Sequence, residues 1–271
     1  MSDDQTFAAL RQELDRWRSA GRTARLWLRD DDAVEVTDAL EQLLDTTRQA
    51  TVPLTLAVIP AFTGEALVAR LAREDHVLVA VHGWSHENHA GPDEKKQELG
   101  SHRHADVVLA QLRNGLDRLR LLHGPKLVPM LVPPWNRISA ELVPRLEEQG
   151  FEVLSVFGRM RDNSPIRLLN THVDVVNARG QRGDRPHADL VRELVGELRT
   201  RFAGGEDPCA RERPAPVDEP IGILTHHLVH GASERAFLAR LFEETVDHSA
   251  VSWMSATDLV GGLALPQGRV E

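Results

Sequence analysis

Apolar residues recur along this chain at two different periods. Phe7, Leu10, Leu14 and Trp17 stand at helical spacing near the start. A short apolar segment, Leu26 to Leu28, runs directly into Asp30, Asp31 and Asp32. Leu40, Leu43 and Leu44 mark a second helix, and Pro53 to Ile59 reads as a buried strand. Ala66 to Ala72 is predicted as a helix, and Val77 to Val81 as a strand that ends at His82. A polar loop, Gly83 to Gly100, precedes a long amphipathic helix with Val108, Leu109, Leu112, Leu116 and Leu119 on one stripe. Leu127 to Val132 is a strand stopped by Pro133-Pro134, and Leu142 to Gln149 is a helix closed by Gly150. Val153 to Phe157, Thr171 to Val176, Ile221 to Thr225 and Val251 to Met254 read as strands. Leu190 to Phe202 and Ala236 to Phe242 read as helices, and Gly204 to Pro220, rich in Gly, Pro and charge, as a loop or excursion.

Strands alternating with helices imply parallel βα units, six or seven of them here. The expectation is an α/β fold: a distorted or incomplete (β/α) barrel of about seven parallel strands, formed by residues 1–271 as one domain. A doubly wound open sheet is the other architecture that the same count allows.

Charge narrows the partners. The chain carries 41 acidic and 32 basic side chains, a formal net charge of −9. A nucleic-acid backbone needs a basic surface, so the expected partner is a small or neutral substrate. No apolar stretch approaches a membrane span, and the polar start, Met1 to Thr6, lacks the basic and apolar regions of a signal peptide. A cytoplasmic protein is expected. The single cysteine, Cys209, excludes a disulfide framework and a thiolate-rich metal site, so any metal chemistry must use His, Asp and Glu.

The polar clusters fall just after the apolar strands. In β/α folds the carboxyl ends of the strands face one cavity, so clusters distant in sequence converge there. Asp30-Asp31-Asp32 follows the first strand. Such a triplet alone equally fits a solvated turn, and Asp32 or Thr37 can cap the next helix. Adjacent acids at a buried strand end, however, call for a cation or a proton between them. His82 and His86 lie four apart in His82-Gly83-Trp84-Ser85-His86. They can face one way if the intervening residues coil helically, and a divalent cation can bridge them. Trp84 is a cavity wall or plain core packing. Pro133-Pro134-Trp135-Asn136-Arg137 is either a rigid turn with a packed tryptophan or a wall that brings a backbone N–H and Arg137 to a substrate. Asp174 lies in a later strand, and His226-His227 end another, where an imidazole is a candidate general acid.

Taken in order, the Asp pair, His-x-x-x-His, the Pro-Pro-aromatic turn and the late Leu-x-His resemble the polysaccharide deacetylases, carbohydrate esterase family four. The resemblance spans Leu26 to His227. It implies a distorted β/α barrel and one divalent metal ion, zinc or a similar ion, held by Asp31, His82 and His86. It implies Asp30 as catalytic base and His226 as acid, with His227 the alternative. Trp84, Pro134, Trp135, Asn136 and Arg137 would meet the substrate, and Asp174 would hold an arginine or histidine in place. Two departures stand out. Asp32 occupies a position where the family usually has glycine, which admits a register shift of one. Val132 stands where an arginine normally orients the base, a part that Arg137 or Arg29 could take.

The chemistry so implied is hydrolysis of an acetyl group, N-acetyl before O-acetyl, from a carbohydrate or related small molecule. The rival readings are a metal-independent cyclic-amide hydrolase on the same fold and a non-catalytic carbohydrate-binding relative.

Overall fold

Among the described residues, nine strands and seven α-helices follow one another in near alternation. The first half contains α1 (Asp3–Ser19), β1 (Ala24–Ala33), α2 (Asp38–Gln49), β2 (Leu54–Val58), α3 (Glu65–Leu71), β3 (Val77–His82) and α4 (Ala105–His123). The second contains β4 (Leu127–Val132), β5 (Val153–Leu154), β6 (Arg167–Leu168), β7 (Val173–Asp174), α5 (His187–Phe202), β8 (Ile221–Thr225), α6 (Ala232–Thr245), β9 (Val251–Trp253) and α7 (Ala256–Gly262). The structure is a computed structural model and describes residues 3–160, 163–176, 184–204 and 218–262. Cys209, Met1 and most of the Gly204–Pro220 excursion lie outside the described residues.

All pairings are parallel, in the order β6-β5-β4-β3-β2-β1-β8-β7, with β9 added to the amino half of β1. The sheet curls through 237° without closing, as a half-barrel with flanking helices. The barrel expected from the alternation of strands and helices is therefore the one formed. None of the described helices is long and apolar enough to cross a membrane.

Local chemistry explains most element ends. Thr37, not Asp32, caps α2, its side chain accepting from Leu40 N at 3.1 Å. The stretch Leu142 to Gln149 forms two 3-10 turns, Val143–Arg145 and Glu147–Gln149, rather than an α-helix. Gly150 does close it, at φ 87°. Pro129 sits inside β4, and the β3–β4 register shifts there, between the pairs Val79–Leu127 and Val81–Leu131.

Strand alternation sorts side chains into two layers. One cluster packs Leu26, Leu28, Val79, Val81, Ile221 and Ile223 against the helices. The other gathers Trp27, Ala57, Ala80, Met130, Val132 and Val153 on the concave face, with Ala256 and Leu259 of α7 against them. This parity decides what each residue at a strand end can reach.

Candidate active site

On β1 the parity of Trp27 continues through Arg29 to Asp31, so these side chains enter the concave face. Asp30 shares the parity of Leu26 and Leu28 and turns outward. Both carboxylates are buried, with opposite partners. Asp31 pairs with Arg29, Nε to Oδ1 at 2.8 Å and Nη2 to Oδ2 at 3.0 Å. The same guanidinium donates to Ser155 Oγ at 2.7 Å and to Asn136 Oδ1 at 2.8 Å. The arginine missing at Val132 thus has a counterpart arriving from β1. Arg137 points elsewhere, donating to the Lys96 carbonyl at 2.7 Å.

Asp30 is fully buried and accepts from Thr225 Oγ1 at 2.6 Å, from His227 N at 2.8 Å and from the His227 ring. Burial works against its charge, but the His227 ring and the Thr225 hydroxyl together hold its carboxyl below the ordinary range. Burial likewise opposes the charge on His227, and Asp30 more than offsets it, raising the ring's pKa.

The acid that joins the two histidines is Asp32. Its Oδ1 lies 3.0 Å from His82 Nε2 and 3.2 Å from His86 Nε2. Of the expected Asp31, His82 and His86, the two histidines thus come together with Asp32 and not with Asp31. The physical cause is the backbone. The β1–β2 register breaks between Asp30 and Ala33, and Asp32 adopts φ 73°. That turn lets two consecutive acids, Asp31 and Asp32, reach the same face, which a regular strand forbids. A positive φ in a residue with a side chain is strain of the sort that collects at functional sites. Burial pushes the Asp32 carboxyl up, but hydrogen bonds from both histidines outweigh it and hold the pKa low.

The histidines come together without the helical coil expected between them. His82 ends β3, where its Nδ1 donates to the Val132 carbonyl at 2.9 Å and leaves Nε2 for Asp32. Gly83 follows at φ 61°, and His86 stands at φ 58°. Gly83 is obligatory: a Cβ there would lie 2.1 Å from Glu98 Oε2 and 2.7 Å from Pro134 Cγ. Trp84, half-buried, accepts at its carbonyl from Ala61 N at 2.9 Å. Trp135 packs on His86 with ring centroids 4.3 Å apart. Asn136 is drawn to Arg29, and Pro134 is buried beside Gly83.

On the opposite side, Asp174 of β7 and His226 just past β8 face each other, with His226 Nδ1 3.9 Å from Asp174 Oδ1. Burial raises the Asp174 carboxyl to about 6, and the nearby Asp31 charge pushes the same way. Of the adjacent histidines, His226 stands with Asp174 and His227 is bound to Asp30.

Asp32, His82 and His86 form a possible metal site. Their donor atoms lie within 4.8 Å of one another. One carboxylate oxygen and two imidazole nitrogens are a donor set that a divalent cation accepts. The second nitrogen of His82 is fixed by a carbonyl, as in metal-binding imidazoles generally. The site also contains a residue the sequence did not single out. Glu98, buried in the polar loop, accepts from the backbone N–H groups of Trp84, Ser85 and His86.

No protein-family model matches the sequence, and no curated protein matches it. Solved structures do match in three dimensions. A Mycobacterium smegmatis protein described as a polysaccharide deacetylase superposes with a TM-score of 0.62 at 17% identity, over 89% of this chain and 90% of that one. The peptidoglycan N-acetylglucosamine deacetylase Bc1960 gives 0.53 at 18% identity, over 87% of each chain. BA3943, a carbohydrate esterase family four pseudoenzyme whose mutant has restored activity, gives 0.55 at 14% identity, over 88% of this chain and 68% of that one. The chain has the fold of the polysaccharide deacetylases.

Proposed function

We propose that the protein is a metal-dependent hydrolase that removes an acetyl group, N-acetyl in preference to O-acetyl, from a carbohydrate or related small molecule. The observation that carries this reading is the convergence of both histidine Nε2 atoms on one oxygen of Asp32, beside the Arg29-bound Asp31. The deacetylases among the similar structures support the same class of reaction and an acetylated sugar as substrate.

Asp32, His82 and His86 would hold one divalent ion, with zinc the first choice for two imidazoles and a carboxylate. Such an ion, when bound, polarises an acyl oxygen and lowers the pKa of water. The rest is the work of the chain. Asp31, next to the trio and oriented bidentately by Arg29, is the base that takes the proton of the attacking water. This role moves from Asp30, whose oxygens are occupied by Thr225 and His227. His226 protonates the departing amine, with the Asp174 carboxylate facing its Nδ1 at 3.9 Å. Thr225 and His227 flank His226 and are both tied to Asp30, so Asp30 fixes the backbone that presents the acid. Trp84, Trp135 and the Pro134–Asn136 turn wall the substrate.

A valine at position 132, in place of the base-orienting arginine, would suit a non-catalytic relative, but Arg29 puts a guanidinium on Asp31 and so supports a catalytic reading. A metal-independent cyclic-amide hydrolase leaves the Asp32–His82–His86 trio without a purpose. The test joins two measurements. Protein purified without chelators is assayed for bound metal, and acetate release is followed across a panel of acetylated sugars and cyclic amides. Stoichiometric metal and metal-dependent acetate release support the reading, whereas chelator-resistant turnover of a cyclic amide refutes it.

A further inference from the structure

The loop from Gly83 to Gly100 is polar along most of its length, yet it returns one carboxylate to the interior. Glu98 is 1% exposed. Its Oε1 accepts from Trp84 N at 3.1 Å and Ser85 N at 2.8 Å, and its Oε2 accepts from His86 N at 3.2 Å. Among the described residues no cationic side chain pairs with it. Three backbone N–H dipoles, aimed at one carboxylate, take the place of a counter-ion.

The anchor is itself fixed. Arg103 donates to the Glu98 carbonyl at 3.0 Å and to Gln111 of α4 at 2.6 Å. The next residue, Leu99, bridges to Ile138, and its carbonyl accepts from Ser139 N at 2.7 Å. Glu98 is therefore tied to both α4 and the turn after β4, the turn that also carries Trp135 onto His86. The segment it grips has no regular hydrogen bonding of its own and includes Gly83 at φ 61° and His86 at φ 58°. A segment so bent keeps one shape only if something outside it supplies the hydrogen bonds.

We propose that Glu98 is a positioning residue that sets His86 opposite His82, preforming the donor set before any ion arrives. The proposal rests on the metal reading of the Asp32–His82–His86 trio. Glutamine is the discriminating replacement, since it keeps the volume but turns an NH2 toward N–H groups that need an acceptor.

Two readouts separate the proposal from the reading beneath it. In the metal-free full chain, amide hydrogen exchange at Trp84, Ser85 and His86 should be slow, and Glu98→Gln should accelerate it at least tenfold. Equal exchange in both proteins would overturn the clamp, whatever the metal results. Zinc affinity, measured by competition with a chromophoric chelator, should then fall by about 10- to 100-fold in Glu98→Gln. Leu109→Ala, a core truncation on α4 that lowers stability elsewhere, should leave affinity within about twofold; a loss there equal to that of Glu98→Gln would overturn the proposal as mere destabilisation. Wild-type protein that exchanges slowly at these amides but binds neither zinc nor cobalt would overturn the metal reading, and with it the preforming role. Should Glu98→Gln fail to fold, Glu98→Asp carries the same comparison, because it keeps the charge but withdraws it by one methylene.

Discussion

Arg29→Met tests the arrangement of the site without requiring a substrate. Arg29 is completely buried, and its guanidinium makes four hydrogen bonds: two to Asp31, one to Ser155 and one to Asn136. Methionine keeps much of the stem but removes every donor. Asp31, 1% exposed, is then a buried carboxylate without its partner. Breaking a buried pair from one side costs about 3–5 kcal/mol, a large part of the 5–15 kcal/mol that holds a typical domain. The loss should be read by equilibrium urea unfolding of metal-free protein at neutral pH. The second arm is Arg29→Met/Asp31→Asn. Removing the stranded charge should restore at least about 2 kcal/mol, because two neutral groups cost far less to bury than one unpaired ion. The cycle of single and double variants then gives the coupling between residues 29 and 31 directly. A loss below about 1 kcal/mol in Arg29→Met, or a double variant no more stable than the single one, would refute the assignment of Arg29 as the group that compensates Asp31.

Four other outcomes follow from the same geometry. Asp32→Asn should strip the bound metal, whereas Asp31→Asn should keep it and lose turnover; metal analysis beside acetate release would expose a reversed assignment. His226→Ala should lower the rate by about two to four powers of ten, with less effect on substrates having better leaving groups, while His227→Ala should act mainly on stability through Asp30, so similar small losses in turnover from both would remove His226 from its role. Asp174, raised to about 6 from 3.8, keeps a proton in the folded protein that the unfolded chain has already released, so stability declines as pH rises between those values and stays lowered above them; Asp174→Asn should therefore gain about 3 kcal/mol on wild type at pH 7 and nothing near pH 3 in metal-free protein, and parallel pH profiles would contradict this. Gly83→Ala must displace Glu98 or Pro134 and strain a φ of 61°, so it should lower thermal stability and zinc affinity together; unchanged affinity would argue against the tight loop.

Much of this protein is written in its periodicity. The spacing of Phe7, Leu10, Leu14 and Trp17 places α1, and the apolar run before His82 places β3 and its end. Ile221 to Thr225 reads off as β8 to the residue. Because every strand is parallel, strand ends alone also locate the site: Asp30 to Asp32, His82, Asp174 and His226 all lie at carboxyl ends. Short pieces escape this reading. β6 has two residues, too few for any period to show, and the apparently helical stretch Leu142 to Gln149 forms 3-10 turns.

Within the site, the chain determined which residue types are present, and tertiary structure decided which of them meet. Three consecutive aspartates are chemically alike, and on a strand a shift of one residue exchanges the inner and outer faces. The apolar residues before them, Leu26, Trp27 and Leu28, fall on both faces, so the hydrophobic pattern does not say which of Asp30 and Asp31 points inward. The neighbours make the distinction: β8 and the turn after it offer Thr225 and His227 to the outward Asp30, while Arg29, inside, claims Asp31. The positive φ at Asp32 then brings a second acid inward, against the rule of alternation. Glu98 is hidden for the same reason. Its partners are backbone N–H groups, which every residue carries, and only the folded loop aims three of them at one carboxylate.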